Sequence, residues 1–488
     1  MTTCSRWLFL TSLVLVLTAF CVLMSPGIGF AQWEPDVRLT FDDSSSNLQP
    51  SCMRALAVGP TGTLHVVWTD GRDGGYGEIY YKRSTDQGTT WSADCRMTND
   101  PQVSTSPSVS TSGAEVNVVW SDERQGQGWP EAFFKQSTDG GLNWGPDTRL
   151  SPNATDALCP SSASWGPNIY VLFWDNTGLA RIYYKRSTDH GATWSADSIL
   201  SNSTNGFPIS AIAVSDSVVY AFWTRGSTLK QVYFRRSTDA GVTWAPEARL
   251  TSNTICAQTF PSVSASGPDV HLVWHAGTGT TVAVFYKCTT DYGVTWTPDT
   301  LLTLAPARAM YPTVSSSGAR VGVAWQGDSL TSGGYGRNYY KASTDHGATW
   351  SPDTCLSGDF LSYPSSPFPC IALDGAAKHL VWEDGLGLGG GNYEIYYKRD
   401  LGNISGAWEG LSSRPAPWPT RLTVFPNPFV SFAAIPGHSS DRFALYDVSG
   451  RKVGTYRGDK IGSDLSTGVY FLKVASGDSR PVRIVKVR

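Results

Sequence analysis

Acidic side chains recur just after a set of regularly placed tryptophans, and two of these clusters carry an arginine beside them. Asp70, Arg72 and Asp73 follow Trp68, while Asp122, Glu123 and Arg124 follow Trp120, with Trp129 a few residues further on. Carboxylates accept hydrogen bonds and a guanidinium donates in a fixed fork, so each cluster suits vicinal hydroxyl groups of a sugar; Trp129 adds an apolar stacking face. Asp175, Arg225, Glu383 and Asp384 occupy related positions further along, as do His275, Asp328 and Arg337. A competing reading needs no ligand, because an Asp two residues after Trp can cap its own turn. Cleavage of a glycosidic bond would need two carboxylates about 5 to 9.5 Å apart. The chain has many acids and its sequence selects no pair.

The elements that position these residues are short strands. The tryptophans Trp68, Trp120, Trp174, Trp223, Trp274, Trp325 and Trp382 each close an apolar, β-branched run. In the second unit, Pro107 to Ser110 precedes Glu115 to Trp120, and Glu131 to Lys135 follows, with Gly, Ser and Pro clusters between them. Such runs read as strands joined by turns, and no amphipathic helix fits between them. After the third strand comes an octapeptide such as Ser84-Thr85-Asp86-Gln87-Gly88-Thr89-Thr90-Trp91, repeated with Asp139, Asp189, Asp239, Asp291 and Asp345 at its third position. The Asp intervals of 53, 50, 50, 52 and 54 residues mark repetition of one supersecondary unit. Asp accepts backbone N–H bonds, Gly takes a positive φ and Trp opens the next strand, so each octapeptide is a turn device.

These octapeptides resemble the Asp-box, or BNR repeat, of sialidase-like β-propellers. Asn143 stands for Thr in the second copy and Thr289 for Ser in the fifth. The resemblance implies an all-β propeller whose boxes lie on the face away from any active site and act structurally. Seven strand-closing tryptophans against six boxes predict seven four-stranded blades, one more than sialidases have. The segment Trp33 to Thr40 matches the post-box segment Trp144 to Ser151, so the N-terminal strand is expected to complete the last blade. Trp408 offers a competing outer strand. A sialidase would need three arginines on the substrate carboxylate, a Tyr nucleophile with a Glu partner and an acidic acid/base. The Arg-Ile-Pro signature of that family is absent here.

The chain ends assign the compartment. Arg6, the apolar stretch 7–24 and the small residues before Gln32 read as a signal peptide over 1–31, not a stable transmembrane anchor. The propeller is expected over 32–410 and a Pro-rich linker over 411–420. Residues 421–488 contain Val424-Phe425-Pro426-Asn427-Pro428, Leu445-Tyr446-Asp447, Gly468-Val469-Tyr470-Phe471 and a basic end. In that order these resemble the C-terminal sorting domain of type IX secretion, which implies a small β-sandwich, a translocon partner and a secreted or surface-attached protein.

Residues 32–410 carry 25 basic and 36 acidic side chains, whereas 411–488 carry 12 basic and 5 acidic ones. An anionic propeller is a poor partner for nucleic acid. No Cys or His spacing resembles a metal site, and no cofactor is implied. Cys355 and Cys370 bracket one connecting loop and form the first-choice disulfide of an exported chain, with Cys288 expected to stay a thiol. The expected function is binding or processing of extracellular glycans, with a sialidase-like exo-glycosidase and a purely structural surface protein as alternatives.

Overall fold

The computed structural model describes residues 33–42, 44–48, 54–74, 77–124, 129–151, 156–175, 180–201, 208–226, 230–251, 260–278, 281–303, 308–328, 336–356, 368–385, 392–402, 433–434, 442–447, 451–457, 460–461, 465–474 and 482–486. The expected signal peptide, the Pro-rich linker and Trp408 lie outside them. Two compact units, Met1–Ile404 and Ser405–Arg488, divide the chain.

The first unit is a seven-bladed β-propeller of antiparallel sheets. In blade 2 the inner strand Ser104–Ser112, second strand Glu115–Asp122, third strand Glu131–Ser137 and outer strand Thr148–Arg149 pair in sequence order. Blade 1 carries two short inner pieces, Ser46–Asn47 and Leu56–Val58, both paired with Leu64–Asp70. The second strands are buried along their length because both faces pack on neighbouring blades. Trp68, Trp120, Trp223, Trp274 and Trp382 are at most 2 % exposed. These are the large apolar bodies that the space between twisted sheets requires.

The ring closes as the N-terminal segment predicts. Val37 and Arg38 pair with Tyr397 and Tyr396 as the outer strand of blade 7. Trp33 takes the place of a box tryptophan, with its ring 5.1 Å from Tyr340 of blade 6. A repeated ion pair, invisible in the sequence reading, supports the same conclusion. A third-strand lysine meets the aspartate that precedes the outer strand in Lys82–Asp94, Lys135–Asp147, Lys185–Asp197, Lys287–Asp299 and Lys341–Asp353. In blade 7 the pair is Lys398–Asp36. The N-terminal strand thus reproduces both the packing and the charge pairing of a covalently continuous blade.

Cys355 and Cys370 do not form the expected disulfide. Cys355 lies on the outer strand of blade 6 and Cys370 on the inner strand of blade 7. Three strand spacings of about 4.8 Å separate an outer from an inner strand, roughly 14 Å, well beyond a bridge's Cα span. Cys288 is a buried thiol within its strand.

In the second unit, four antiparallel strands are ordered Lys452–Arg457, Arg442–Asp447, Gly468–Val474 and Val482–Lys486. Phe443, Leu445 and Leu472 are buried on this sheet. A two-stranded pair, Ala433–Ala434 with Lys460–Ile461, completes what is described of the expected sandwich.

Candidate functional site

Each box lies between a third and an outer strand, so all six boxes share one rim with the turns joining first and second strands. In the first box the Ser84 hydroxyl donates to Asp86 (2.7 Å), the Thr90 N–H and hydroxyl donate to the same carboxylate (2.8 and 2.6 Å), and the Gly88 N–H donates to Ser84 Oγ (2.8 Å). The two substituted boxes keep this geometry. Asn143 donates through its amide to Asp139 at 2.7 Å, and Thr289 replaces the serine hydroxyl at 2.6 Å. The Thr193 hydroxyl and N–H hold the Asp189 carboxyl down to about 2.

The box also fastens one blade to the next. Trp144 packs edge-on against Tyr81 of the preceding blade at 4.9 Å, as Trp244 does on Tyr184 and Trp91 on Tyr397. The Tyr81 hydroxyl lies where a Cβ on Gly141 would sit, only 1.8 Å away, and Gly141 has φ +82. Steric and conformational demands therefore coincide on glycine. Behind that tyrosine, His65 Nδ1 meets the Tyr81 hydroxyl at 2.8 Å, and His271–Tyr286 and His379–Tyr397 repeat the contact. Burial lowers all three histidines to about 4.

On the opposite rim the acid–arginine clusters turn inward. Asp70 is fully buried and accepts from Trp68 Nε1, Ser46 Oγ and the Arg72 side chain and N–H. Arg72 lies over the Tyr80 ring and continues to Asp94 and Asp42. Blade 2 is a copy: Asp122 accepts from Trp120, Ser104 and Arg124, and Arg124 lies over Phe133 and reaches Asp147. Arg225 pairs with Glu247 and lies over Tyr233. Asp73 accepts from Tyr80 and pairs with Arg96, while Asp175 is buried and bonded to Tyr183.

Glu383 is 4 % exposed and accepts the Leu48 N–H; burial raises its carboxyl to about 8. Asp384 and Glu123 are partly exposed, and Trp129 is 55 % exposed. The structure therefore gathers these candidates blade by blade. It does not bring Arg72, Arg124 and Arg225 to one point, since each is spent on acids of its own sector.

Among the described residues of this rim, an aromatic group lies at the start of the inner strands. Phe260 of blade 5, Tyr311 of blade 6 and Phe368 of blade 7 form a half-buried arc, with centroid separations of 4.9 Å for Phe260–Tyr311 and 4.7 Å for Tyr311–Phe368. Tyr311 sits at a bulge in its inner strand with φ +50, a sparsely populated conformation for a bulky residue before proline. Its backbone N–H donates to Nδ1 of His275 at 3.1 Å, so the ring is neutral there, and burial lowers its pKa to about 3. His275, expected to face a ligand, holds the Tyr311 backbone instead. The arc has a sequence signal that acid-and-arginine reasoning passes over: an aromatic residue directly before proline, in Phe260-Pro261, Tyr311-Pro312 and Phe368-Pro369.

The fold and its two rims define a seven-bladed Asp-box propeller. The chain belongs to the BNR repeat-like domain family, whose model matches residues 27–272, and residues 423–487 match the secretion system C-terminal sorting domain. That tail makes it a secreted or surface-attached protein. No curated protein sequence matches it. Among solved structures, an ulvan lyase from a new family of polysaccharide lyase is similar at a TM-score of 0.51 and 10 % identity, covering 72 % of this chain and 94 % of that one. A protein of unknown function from Dyadobacter fermentans aligns at 0.48 and 14 %, covering 76 % and 99 %. The Hadza microbial sialidase aligns at 0.39 and 14 %, covering 68 % and 75 %. Likeness at such identities concerns the fold alone.

Proposed function

We propose that this exported propeller binds an extracellular glycan at the channel mouth opposite the boxes, with Phe260, Tyr311 and Phe368 as the stacking surface. The observation that carries the reading is the aromatic arc: the bulge that holds Tyr311 recurs at Ser106 and Cys159, and in blade 6 it carries a ring flanked by two others. Bulges re-aim side chains beside functional sites, and backbone strain collects there. Flat rings in a concave mouth suit the apolar faces of pyranose sugars. A polysaccharide lyase has a similar fold, which supports a polysaccharide as the class of ligand. Binding is favoured over hydrolysis because the acids best placed by sequence, Asp70 and Asp122, are buried and saturated with donors.

A glycan array probed with the full secreted chain tests the reading. Binders should lose affinity in Tyr311→Ala and Phe260→Ala. An array without a binder, or a binder indifferent to both substitutions, overturns it.

A further inference from the structure

The central channel is a cavity of ≈ 230 Å³ lined by the inner strands of all seven blades. Inner strands are sheet edges, so each needs partners for N–H groups that its own sheet leaves unpaired. Most junctions supply them from a hydroxyl or thiol of the preceding blade. Ser108 accepts the Ser162 N–H, while Ser262 and Ser264 accept those of Val314 and Ser316. Ser315 accepts from Leu373, and the Cys370 sulfur faces the Leu56 and Ala55 N–H groups. Blades 1 and 2 are joined directly, Val109 N–H to Arg54 C=O.

Blade 4 is the exception. Its inner strand is Ser210–Ser215, and Ala211 pairs with the residue before the blade tryptophan, as Ser108, Ser262 and Cys370 do in their blades. Alanine stands where the staple toward blade 5 belongs; Ala55 holds the same register in blade 1, but there the direct backbone bond to Val109 joins the neighbouring blade. Among the described residues no hydrogen bond joins this strand to the inner strands of blades 3 or 5, and the buried hydroxyl oxygens of Ser164 and Ser210 have no partner.

Across this gap lies Arg54. From blade 1 its guanidinium spans the channel and donates to the carbonyls of Ser162 in blade 3 and Val263 in blade 5, each at 3.2 Å. Those are the two blades that flank the unstapled one. Among the described residues no carboxylate pairs with it, and burial pushes it down to about 10. We infer that blade 4 is the seam of the inner ring and that Arg54 is its latch, a tethered guanidinium held between two edge carbonyls that form a seat for that group. A planar fork fits two divergent carbonyls, which a single ammonium does not.

Amide exchange on the full chain tests this. In the wild type, Ala211 to Val214 should be the least protected inner-strand segment. In Arg54→Met, exchange there should quicken about tenfold more than at Val314 to Ser316 of the stapled blade 6. Arg54→Lys should behave like Arg54→Met, and Arg54→Ala should be restored by millimolar methylguanidinium but not by sodium chloride of equal ionic strength. Uniform exchange across the seven inner strands, full function of Lys in place of Arg, or no response to methylguanidinium would each overturn the latch. Wild-type exchange decides the matter even if the variants fail to fold.

Discussion

The two rims of this propeller are built from the same seven repeats and follow opposite rules. On the box rim blades 1 to 6 repeat one another: one carboxylate collects the same donors, one glycine leaves room for an aromatic ring, and one tryptophan covers the preceding blade. On the other rim the blades diverge, with acid–arginine locks in blades 1 and 2, a Glu247 pair in blade 4 and an aromatic arc over blades 5 to 7. Repetition marks the parts that make a ring of equal blades. A ligand surface on a pseudo-symmetric scaffold has to break that symmetry, so departures from the repeat are where recognition belongs.

The comparison breaks most severely if the ring is opened. Trimming residues 33–40 removes buried Leu39, the Trp33 packing and the Lys398–Asp36 pair together. Burial of two such apolar side chains alone amounts to about 5 kcal/mol, and a bare third strand is an edge open to pairing with other chains. The expected result in size-exclusion chromatography is aggregate; a monomer with unchanged melting would show that another segment closes blade 7.

Acid should weaken the box rim next. His65, His271 and His379 have folded pKa values near 4, below the ordinary 6.5, so between those values the unfolded chain binds protons that the folded chain refuses. Stability present above pH 6.5 is therefore lost as the pH falls toward 4, by at most about 3 kcal/mol for each histidine. Melting temperature against pH should flatten in this window in a His65→Gln, His271→Gln, His379→Gln variant. An unchanged slope would mean that these rings are not the groups resisting protonation.

A smaller effect separates the rims by function. Trp194, edge-on to Phe134 at 5.0 Å, belongs to the repeated device. Trp194→Ala should destabilise by about 3 kcal/mol, while the folded fraction keeps its glycan affinity. Normal melting with lost affinity would place the box in recognition.

The sequence made the box rim legible because its residues recur at fixed spacing and each recurrence checks the others. Blade count and N-terminal closure followed from the same repetition, through the tryptophans and the Trp33 segment. The candidate rim was less legible for a physical reason: sequence shows that Asp70 and Arg72 are near each other, yet not that Trp68 Nε1 and Ser46 donate to the same carboxylate. The disulfide failed likewise, since loop length says nothing of how far apart inner and outer strands stand. The latch was least legible of all. Ala211 stands out only once its lack of a partner is set beside Ser108, Ser262 and Cys370 at the same register, and Arg54 lies in a blade where the inner strand is interrupted.

The last comparison ends on the smallest expected effect, that of Tyr311→Ala, and sets the acid–arginine locks directly against the arc. Asp122→Ala removes the acceptor of Trp120, Ser104 and Arg124 from a fully buried position, so it should cost stability, about 3 kcal/mol as for breaking a buried pair. The surviving folded protein should bind as before. Tyr311→Ala should do the reverse. Tyr311 is only partly buried, and its backbone conformation is strained for any side chain but glycine, so losing the ring removes no core packing of the kind Trp120 provides. Loss of one stacking ring should weaken glycan binding by about 1.5 kcal/mol, roughly tenfold in Kd, with the melting temperature nearly unchanged. Calorimetric titration and thermal melts of the two variants side by side decide between the sectors: if Asp122→Ala weakens binding in a normally melting protein while Tyr311→Ala does not, the ligand sits on blades 1 and 2 and the arc is only packing.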